Sequence, residues 1–128
     1  MAKIIALTNQ KGGVGKTTSS VNIAASLAVS EFKTLIIDMD PQANASTGIS
    51  EIIINKSGYN IYDTLVGQIP IKEVISKTEF KYLDSVLSTN DLVGAEIELV
   101  SVIGRELELK KALKTVKKKY DYIIIDCP

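Results

Sequence analysis

Residues 11–18 have the types and order of side chains that make a binding site for phosphate. Glycines let backbone N–H groups point at an anion without Cβ clashes, and a lysine adds positive charge for the β- and γ-phosphates. A threonine directly after that lysine offers a hydroxyl of the kind that ligates Mg²⁺. The candidate cradle consists of Lys11, Gly12, Gly13, Val14, Gly15, Lys16, Thr17 and Thr18.

This loop departs from the ordinary phosphate-loop pattern G-x-x-x-x-G-K-[ST]. Gln10 stands where that pattern has glycine, and Lys11 supplies a second lysine five residues before Lys16. A dinucleotide fingerprint, G-x-G-x-x-G, is the alternative, with Asp38 placed about twenty residues on as a ribose-binding acid. Thr18 occupies the third glycine position of that fingerprint, and a dinucleotide loop has no use for the lysine. The phosphate loop of a nucleotide hydrolase is therefore favoured.

Two acidic residues complete the predicted chemistry. Asp126 follows the apolar residues 122–125, which is the pattern of a Walker B strand whose acid supports the Mg²⁺ shell. Asp40 opens the loop after the second apolar strand, where a carboxylate can orient an attacking water. These residues predict hydrolysis of a nucleoside triphosphate. ATP is favoured over GTP because residues 55–58 begin like the guanine-reading Asn-Lys-x-Asp run but have Gly58 in place of the acid.

The surrounding elements predict an α/β fold with a P-loop NTPase-type parallel sheet flanked by helices. The expected strands are residues 3–8, 34–39, 82–87 and 122–125, and the expected helices are residues 16–29, 61–66, 71–76 and 91–118. Residues 41–48 are expected to form a polar loop. Because ligands in such folds bind at the carboxyl ends of the strands, Lys11, Asp38, Asp40 and Asp126 should converge there.

Composition narrows the class of protein. The 128 residues suit about one domain, and 15 basic residues balance 15 acidic ones, so overall charge implies no nucleic-acid or anionic-membrane partner. The single cysteine, Cys127, cannot form an intramolecular disulfide, which fits a reducing, cytosolic compartment. No apolar run reaches membrane-spanning length.

At this point the sequence resembles the ParA/Soj chromosome- and plasmid-partitioning ATPases, which belong to the deviant Walker A group together with MinD. The phosphate loop with its extra lysine is typical of the whole group. Residues 38–44 (Asp-Met-Asp-Pro-Gln-Ala-Asn) resemble the partitioning branch more specifically. Residues 92–99 and 124–128 are also similar to Soj-type sequences.

The resemblance implies a role for each matching residue. Lys16 would bind the β- and γ-phosphates of ATP, Thr17 the Mg²⁺, and Asp126 would support the metal. Lys11 would reach across an ATP-bound homodimer to the partner's phosphates, and Asp40 would lie in switch I and position the attacking water. The ATP-bound dimer would associate with nonspecific DNA on the nucleoid, in the cytoplasm, and a centromere-binding protein of the ParB/Spo0J type would stimulate hydrolysis.

Members of this family are about twice as long as this chain, as expected of one ordinary α/β domain. Residues 1–128 are therefore expected to be the N-terminal part of a single P-loop ATPase domain, truncated just after the Walker B strand. The C-terminal strands and the basic residues that contact DNA would lie in the missing half. Two alternatives stay open: a non-catalytic, truncated nucleotide-binding chain, and a MinD-like positioning ATPase. The second uses a C-terminal amphipathic membrane helix that these residues do not contain, so only the Asp-Pro-Gln-x-Asn run of residues 40–44 argues against it.

Overall fold

A computed structural model describes residues 2–8, 16–89 and 102–127 of the chain. The strands of this part are β1 (Lys3–Leu7), β2 (Thr34–Asp38), β3 (Ile53–Asn55), β4 (Ile75–Thr78), β5 (Leu83–Val86) and β6 (Tyr122–Asp126). The α-helices are α1 (Lys16–Val29), α2 (Asn44–Ile49), α3 (Ile61–Leu65), α4 (Ile71–Val74) and α5 (Val102–Leu113). Short 3₁₀ turns occupy Ser50–Ile52 and Lys117–Lys119.

The strands form one sheet in the order β1-β6-β2-β5-β4-β3. Neighbours among β1, β6, β2 and β5 are parallel, whereas β4 pairs antiparallel with β5 and β3 pairs antiparallel with β4. The predicted α/β fold with a parallel sheet and flanking helices is therefore confirmed for four strands. The antiparallel edge made by β3 and β4 was not predicted.

Two expected elements were wrong. The helix predicted over residues 71–76 stops at Val74, because Ile75 begins β4. At the other end of β4, the buried Thr78 hydroxyl donates to the Leu83 carbonyl at 2.7 Å. The polar loop predicted over residues 41–48 is helical from Asn44 onward. Much of the helix predicted over residues 91–118 lies outside the described residues, and its described part, α5, ends at Leu113.

The apolar runs of β2 and β6 are continuous because both faces of these strands are buried. Alternate residues point to opposite faces: Leu35 and Ile123 pack toward α3 and α5, and Ile36 and Ile124 pack against the small residues of α1. Ala24 in α1 is fully buried, so the helix axis can approach the sheet closely. This close approach brings the start of α1 to the carboxyl ends of the strands.

Strand β1 is less covered than its neighbours. Ile4 and Ile5 are 41% and 37% exposed, although both lie on a parallel strand. Among the described strands, β1 pairs with β6 alone. Within the described ranges, no helix is long and apolar enough to cross a membrane.

The central packing gives a stability prediction. Replacing the fully buried Ile124 with alanine removes three side-chain carbons from a filled core, so the free energy of unfolding should fall by about 2–5 kcal/mol. Ile54→Ala is the matched control, because Ile54 is 68% exposed and should lose less than about 1 kcal/mol. Urea denaturation followed by circular dichroism measures both values. Equal losses for the two variants would contradict the described packing.

Candidate active site

The carboxyl ends of three strands lie at the same level of the sheet. Asp126 at the end of β6 is the register partner of Leu7 in β1 and of Asp38 in β2. Backbone hydrogen bonds continue the ladder beyond the strands: Met39 N–H donates to the Asp126 carbonyl at 2.9 Å, and Cys127 N–H donates to the Leu7 carbonyl at 3.0 Å. The predicted convergence of Asp38 and Asp126 is therefore observed.

The predicted phosphate loop connects the end of β1 with the start of α1. Its residues Lys11, Gly12, Gly13, Val14 and Gly15 lie outside the described residues, so their role stays a prediction. Lys16, Thr17 and Thr18 occupy the first turn of α1, whose N-terminal end carries partial positive charge. The helix therefore begins at the lysine, as the motif requires.

Asp126 is tied to the same helix. Its side chain is fully buried, and the Ser20 hydroxyl donates to Asp126 Oδ1 at 2.6 Å. Ser20 lies four residues after Lys16, one helical turn into α1, and is itself fully buried. A buried carboxylate requires such a donor, because burying an unsatisfied charge is costly. The hydrogen bond fixes the end of β6 against the helix that follows the phosphate loop.

Asp38 is buried beside Asp126 and accepts three hydrogen bonds. Asp40 N–H donates to Oδ1 at 2.9 Å, while Ser46 N–H and its hydroxyl donate to Oδ2 at 2.8 and 2.7 Å. Burial, the largest cause, raises the pKa of Asp38 above its ordinary value of 3.8; the Ser46 and Asp40 hydrogen bonds oppose this, and the charge of Asp126 adds to it. Because both oxygens of this buried carboxylate accept hydrogen bonds from within the chain, Asp38 is not placed to bind a ribose, which argues against the dinucleotide alternative.

Asp40 begins the loop after β2 and is held by its backbone. Its N–H donates to Asp38, and its carbonyl accepts from the Ser88 hydroxyl at 2.7 Å and from Ala43 N–H at 2.9 Å. Its carboxylate Oδ1 accepts from Gln42 N–H at 2.9 Å. Ala43 has φ 56°, in the left-handed region that an L-residue seldom adopts. Such backbone strain is typical of functional loops.

Three serines near these acids were missed by the sequence reasoning. Ser20, Ser46 and Ser88 each hydrogen-bond to an acidic residue of the strand ends. Ser88 follows β5 by two residues, so the rule that places ligands at strand ends would have selected it. Ser46 carries no such signal, because seven residues of loop and helix lie between it and Asp38, and only the folded chain brings the two side chains together.

The donor set can be tested against a magnesium ion. Within the described ranges, no group of three or more His, Cys, Asp or Glu side chains could hold a metal ion. Mg²⁺ does not require such a group, because it usually keeps several waters and takes one or two carboxylates together with substrate phosphates. One buried carboxylate, Asp126, beside the helix that follows a phosphate loop fits that pattern.

A cavity of 600 Å³ lies elsewhere, beside α2 and β3. Ser46 and Ser88 line its inner side, and Ile54, Lys56 and Tyr59 are among its other lining residues. Lys56 is the one charged residue of this lining, so the cavity contains no cluster of acids or bases. The strand ends, where Asp38, Asp40 and Asp126 gather, are therefore the better candidate for chemistry than this cavity.

Comparisons with known proteins identify the family of this chain. A family model described as AAA domain matches residues 2–128. The chain belongs to this family. It is 51% identical to the chromosome partitioning protein ParA of Myxococcus xanthus and 46% identical to the chromosome-partitioning ATPase Soj of Treponema pallidum, each over 128 residues and 100% of this chain. The resemblance to the ParA/Soj partitioning ATPases is thereby confirmed.

The chain spans about half the length of these relatives, covering 45% of the M. xanthus protein and 49% of the T. pallidum protein. Among solved structures, cobyrinic acid a,c-diamide synthase from Mycobacterium smegmatis, with bound ADP and magnesium, matches with a TM-score of 0.82 and 31% identity. That match covers 100% of this chain and 51% of the synthase. It confirms the P-loop NTPase-type fold.

The raised pKa of Asp38 predicts the pH dependence of stability. The unfolded chain releases this proton near pH 3.8 and the folded chain at higher pH, so the stabilising effect of the protonated group is present at low pH and lost as pH rises. The free energy of unfolding of the wild type minus that of Asp38→Asn should therefore fall between about pH 4 and the folded-state pKa, and then level off. Urea denaturation at a series of pH values measures this difference. A difference that grows with pH would contradict the assignment.

Proposed function

We propose that this chain forms the ATP- and Mg²⁺-binding part of a partitioning ATPase of the ParA/Soj type. The observation that carries the proposal is the Ser20–Asp126 hydrogen bond, which joins a fully buried Walker B carboxylate to the helix that begins at Lys16. The register of β1, β6 and β2 supports it, because it aligns Leu7, at the end of β1, with Asp126 and Asp38.

In this proposal, the backbone N–H groups of residues 11–18 and the Lys16 ammonium bind the phosphates of ATP. Thr17 would be a ligand of Mg²⁺, and Asp126 would support the ion. The bound ion would neutralise charge on the phosphates. Asp40 orients the water that attacks the γ-phosphate, from a loop that Asp38 and Ser88 hold by its backbone. Positioning and charge neutralisation supply most of the catalysis in phosphoryl transfer.

The wider cycle is proposed from the partitioning relatives. Two copies of the whole protein would form an ATP-bound homodimer, with Lys11 of each copy directed at the phosphates of the other. The dimer would associate with nonspecific DNA of the nucleoid, in the cytoplasm, through residues of the longer protein. A centromere-binding protein of the ParB/Spo0J type would then stimulate hydrolysis and release the DNA.

The phosphate loop gives the first test of this function. Lys16→Ala should weaken binding of Mg·ATP at least about tenfold, because a charge-assisted contact to phosphate is lost. Isothermal titration calorimetry measures the affinity. Lys56→Ala is the matched control, since Lys56 is an exposed lysine far along the chain and should bind like the wild type. Unchanged binding by Lys16→Ala would overturn the proposed site.

The second lysine gives a separate test. Lys11→Ala should retain Mg·ATP binding but lose ATP-dependent dimerisation, because Lys11 is proposed to contact the phosphates of the other copy. Analytical ultracentrifugation with and without a non-hydrolysable ATP analogue measures the change in mass. Dimerisation of Lys11→Ala at the wild-type level would contradict this role. A wild-type chain that stays monomeric with the analogue would show that this part alone does not dimerise.

A further inference from the structure

Four hydrogen bonds form a closed ring beside the strand ends, through residues Asp38, Asp40, Ser46 and Ser88. Asp40 N–H donates to Asp38 Oδ1 at 2.9 Å, and the Ser46 hydroxyl donates to Asp38 Oδ2 at 2.7 Å. Ser88 N–H donates to the Ser46 hydroxyl oxygen at 2.7 Å. The Ser88 hydroxyl closes the ring by donating to the Asp40 carbonyl at 2.7 Å. Each hydroxyl in the ring therefore has a defined direction.

The ring connects two neighbouring strands beyond the point where their ladder ends. The register of β2 and β5 runs from Thr34 opposite Leu83 to Ile37 opposite Val86. Beyond these pairs, the side chain of Ser88, two residues after β5, contacts the loop of Asp40. Ser46 and Ser88 are 9% and 8% exposed, so water competes little for these bonds.

Within this ring, Asp40 is held on both sides of its Cα atom. Its N–H donates to Asp38, and its carbonyl accepts from Ala43 N–H within the loop and from the Ser88 hydroxyl, which ties the carbonyl to a residue outside the loop. Asp38 is a neighbouring anchor, two residues before Asp40 at the end of β2, but Ser88 lies 48 residues away in sequence. The strained backbone of Ala43 follows directly in this loop, which makes an external anchor more important for holding one conformation.

We infer that Ser88 is a positioning residue, whose hydroxyl holds the Asp40 loop in the position that Asp40 requires to orient the attacking water. This inference rests on the proposed function of Asp40. Ser88 itself is proposed to contact neither the nucleotide nor the attacking water. Its loss should therefore lower the rate of hydrolysis without changing the affinity for Mg·ATP, which is set by the phosphate loop.

The test compares Ser88→Ala with Ser88→Thr, which keeps the hydroxyl, and with Ser85→Ala. Ser85 is a matched control because it is a buried serine of β5, 2% exposed, outside the ring. For Ser88→Ala we expect hydrolysis of Mg·ATP to slow about three- to tenfold, the change that corresponds to one lost hydrogen bond. Affinity for Mg·ATP should stay at the wild-type level, Ser88→Thr should recover the rate, and Ser85→Ala should match the wild type.

Hydrogen–deuterium exchange of a peptide covering residues 39–43 is the second readout, with a non-hydrolysable ATP analogue and Mg²⁺ present. Exchange should become about three- to tenfold faster in Ser88→Ala, return toward the wild-type rate in Ser88→Thr, and be unchanged in Ser85→Ala. Wild-type exchange in Ser88→Ala would overturn the inference, whatever its rate of hydrolysis. Faster exchange combined with wild-type hydrolysis would also overturn it.

Asp40→Asn separates failure of this inference from failure of the proposed function. If Asp40→Asn hydrolyses ATP like the wild type, the role assigned to Asp40 is wrong, and Ser88 cannot act through it. If Asp40→Asn is inactive and Ser88→Ala is unaffected, only the inference about Ser88 is wrong. If the wild-type chain does not hydrolyse ATP alone, its proposed activity fails in isolation, and the exchange of residues 39–43 still decides whether Ser88 holds the loop.

Discussion

Two buried carboxylates, Asp38 and Asp126, stand side by side at the carboxyl ends of β2 and β6, and the candidate site depends on keeping both there. Neighbouring acids in a low-dielectric interior repel each other and lose hydration, so each needs donors. Ser20 supplies one from α1, and Ser46 supplies two from α2. These hydrogen bonds stabilise the two buried acids and also connect α1 and α2 to the sheet. They therefore fix the start of α1 and the loop after β2 relative to Asp126.

This constraint links the fold to the proposed chemistry. In phosphoryl transfer, the protein contributes mainly by positioning the reacting groups and only little by covalent chemistry. The core on either side of β2 and β6 makes the strand ends rigid, and the small residues of α1 bring its first turn to the same edge. Asp40 lies in a loop rather than in a strand, yet both its backbone groups are hydrogen-bonded. These two contacts hold the loop in place beside the strand ends.

The central elements were predictable, because local sequence carries their signal. Unbroken apolar runs marked β2 and β6, and the phosphate-loop motif placed the start of α1 at Lys16. The missed elements depend on tertiary contacts. Strand β3 has only three residues, and β4 follows α4 without a turn between them. Helix α2 contains polar residues, one of which, Ser46, is buried through its hydrogen bond to Asp38. Ser46 illustrates the limit, since its role arises only when a helix and a strand meet. The roles of Lys11, Lys16, Thr17, Asp40 and Asp126 remain predictions.

The most direct measurement is titration of Mg·ATP into the ¹⁵N-labelled chain, followed by amide chemical shifts. Shift changes should concentrate at the strand ends and the second turn of α1, at Thr8, Ser20, Asp40 and Cys127. Amides beside the 600 Å³ cavity, such as those of Ile54 and Tyr59, should change little. Changes centred on the cavity, or no changes at saturating Mg·ATP, would contradict the assignment of the nucleotide site to the carboxyl ends of β1, β6 and β2.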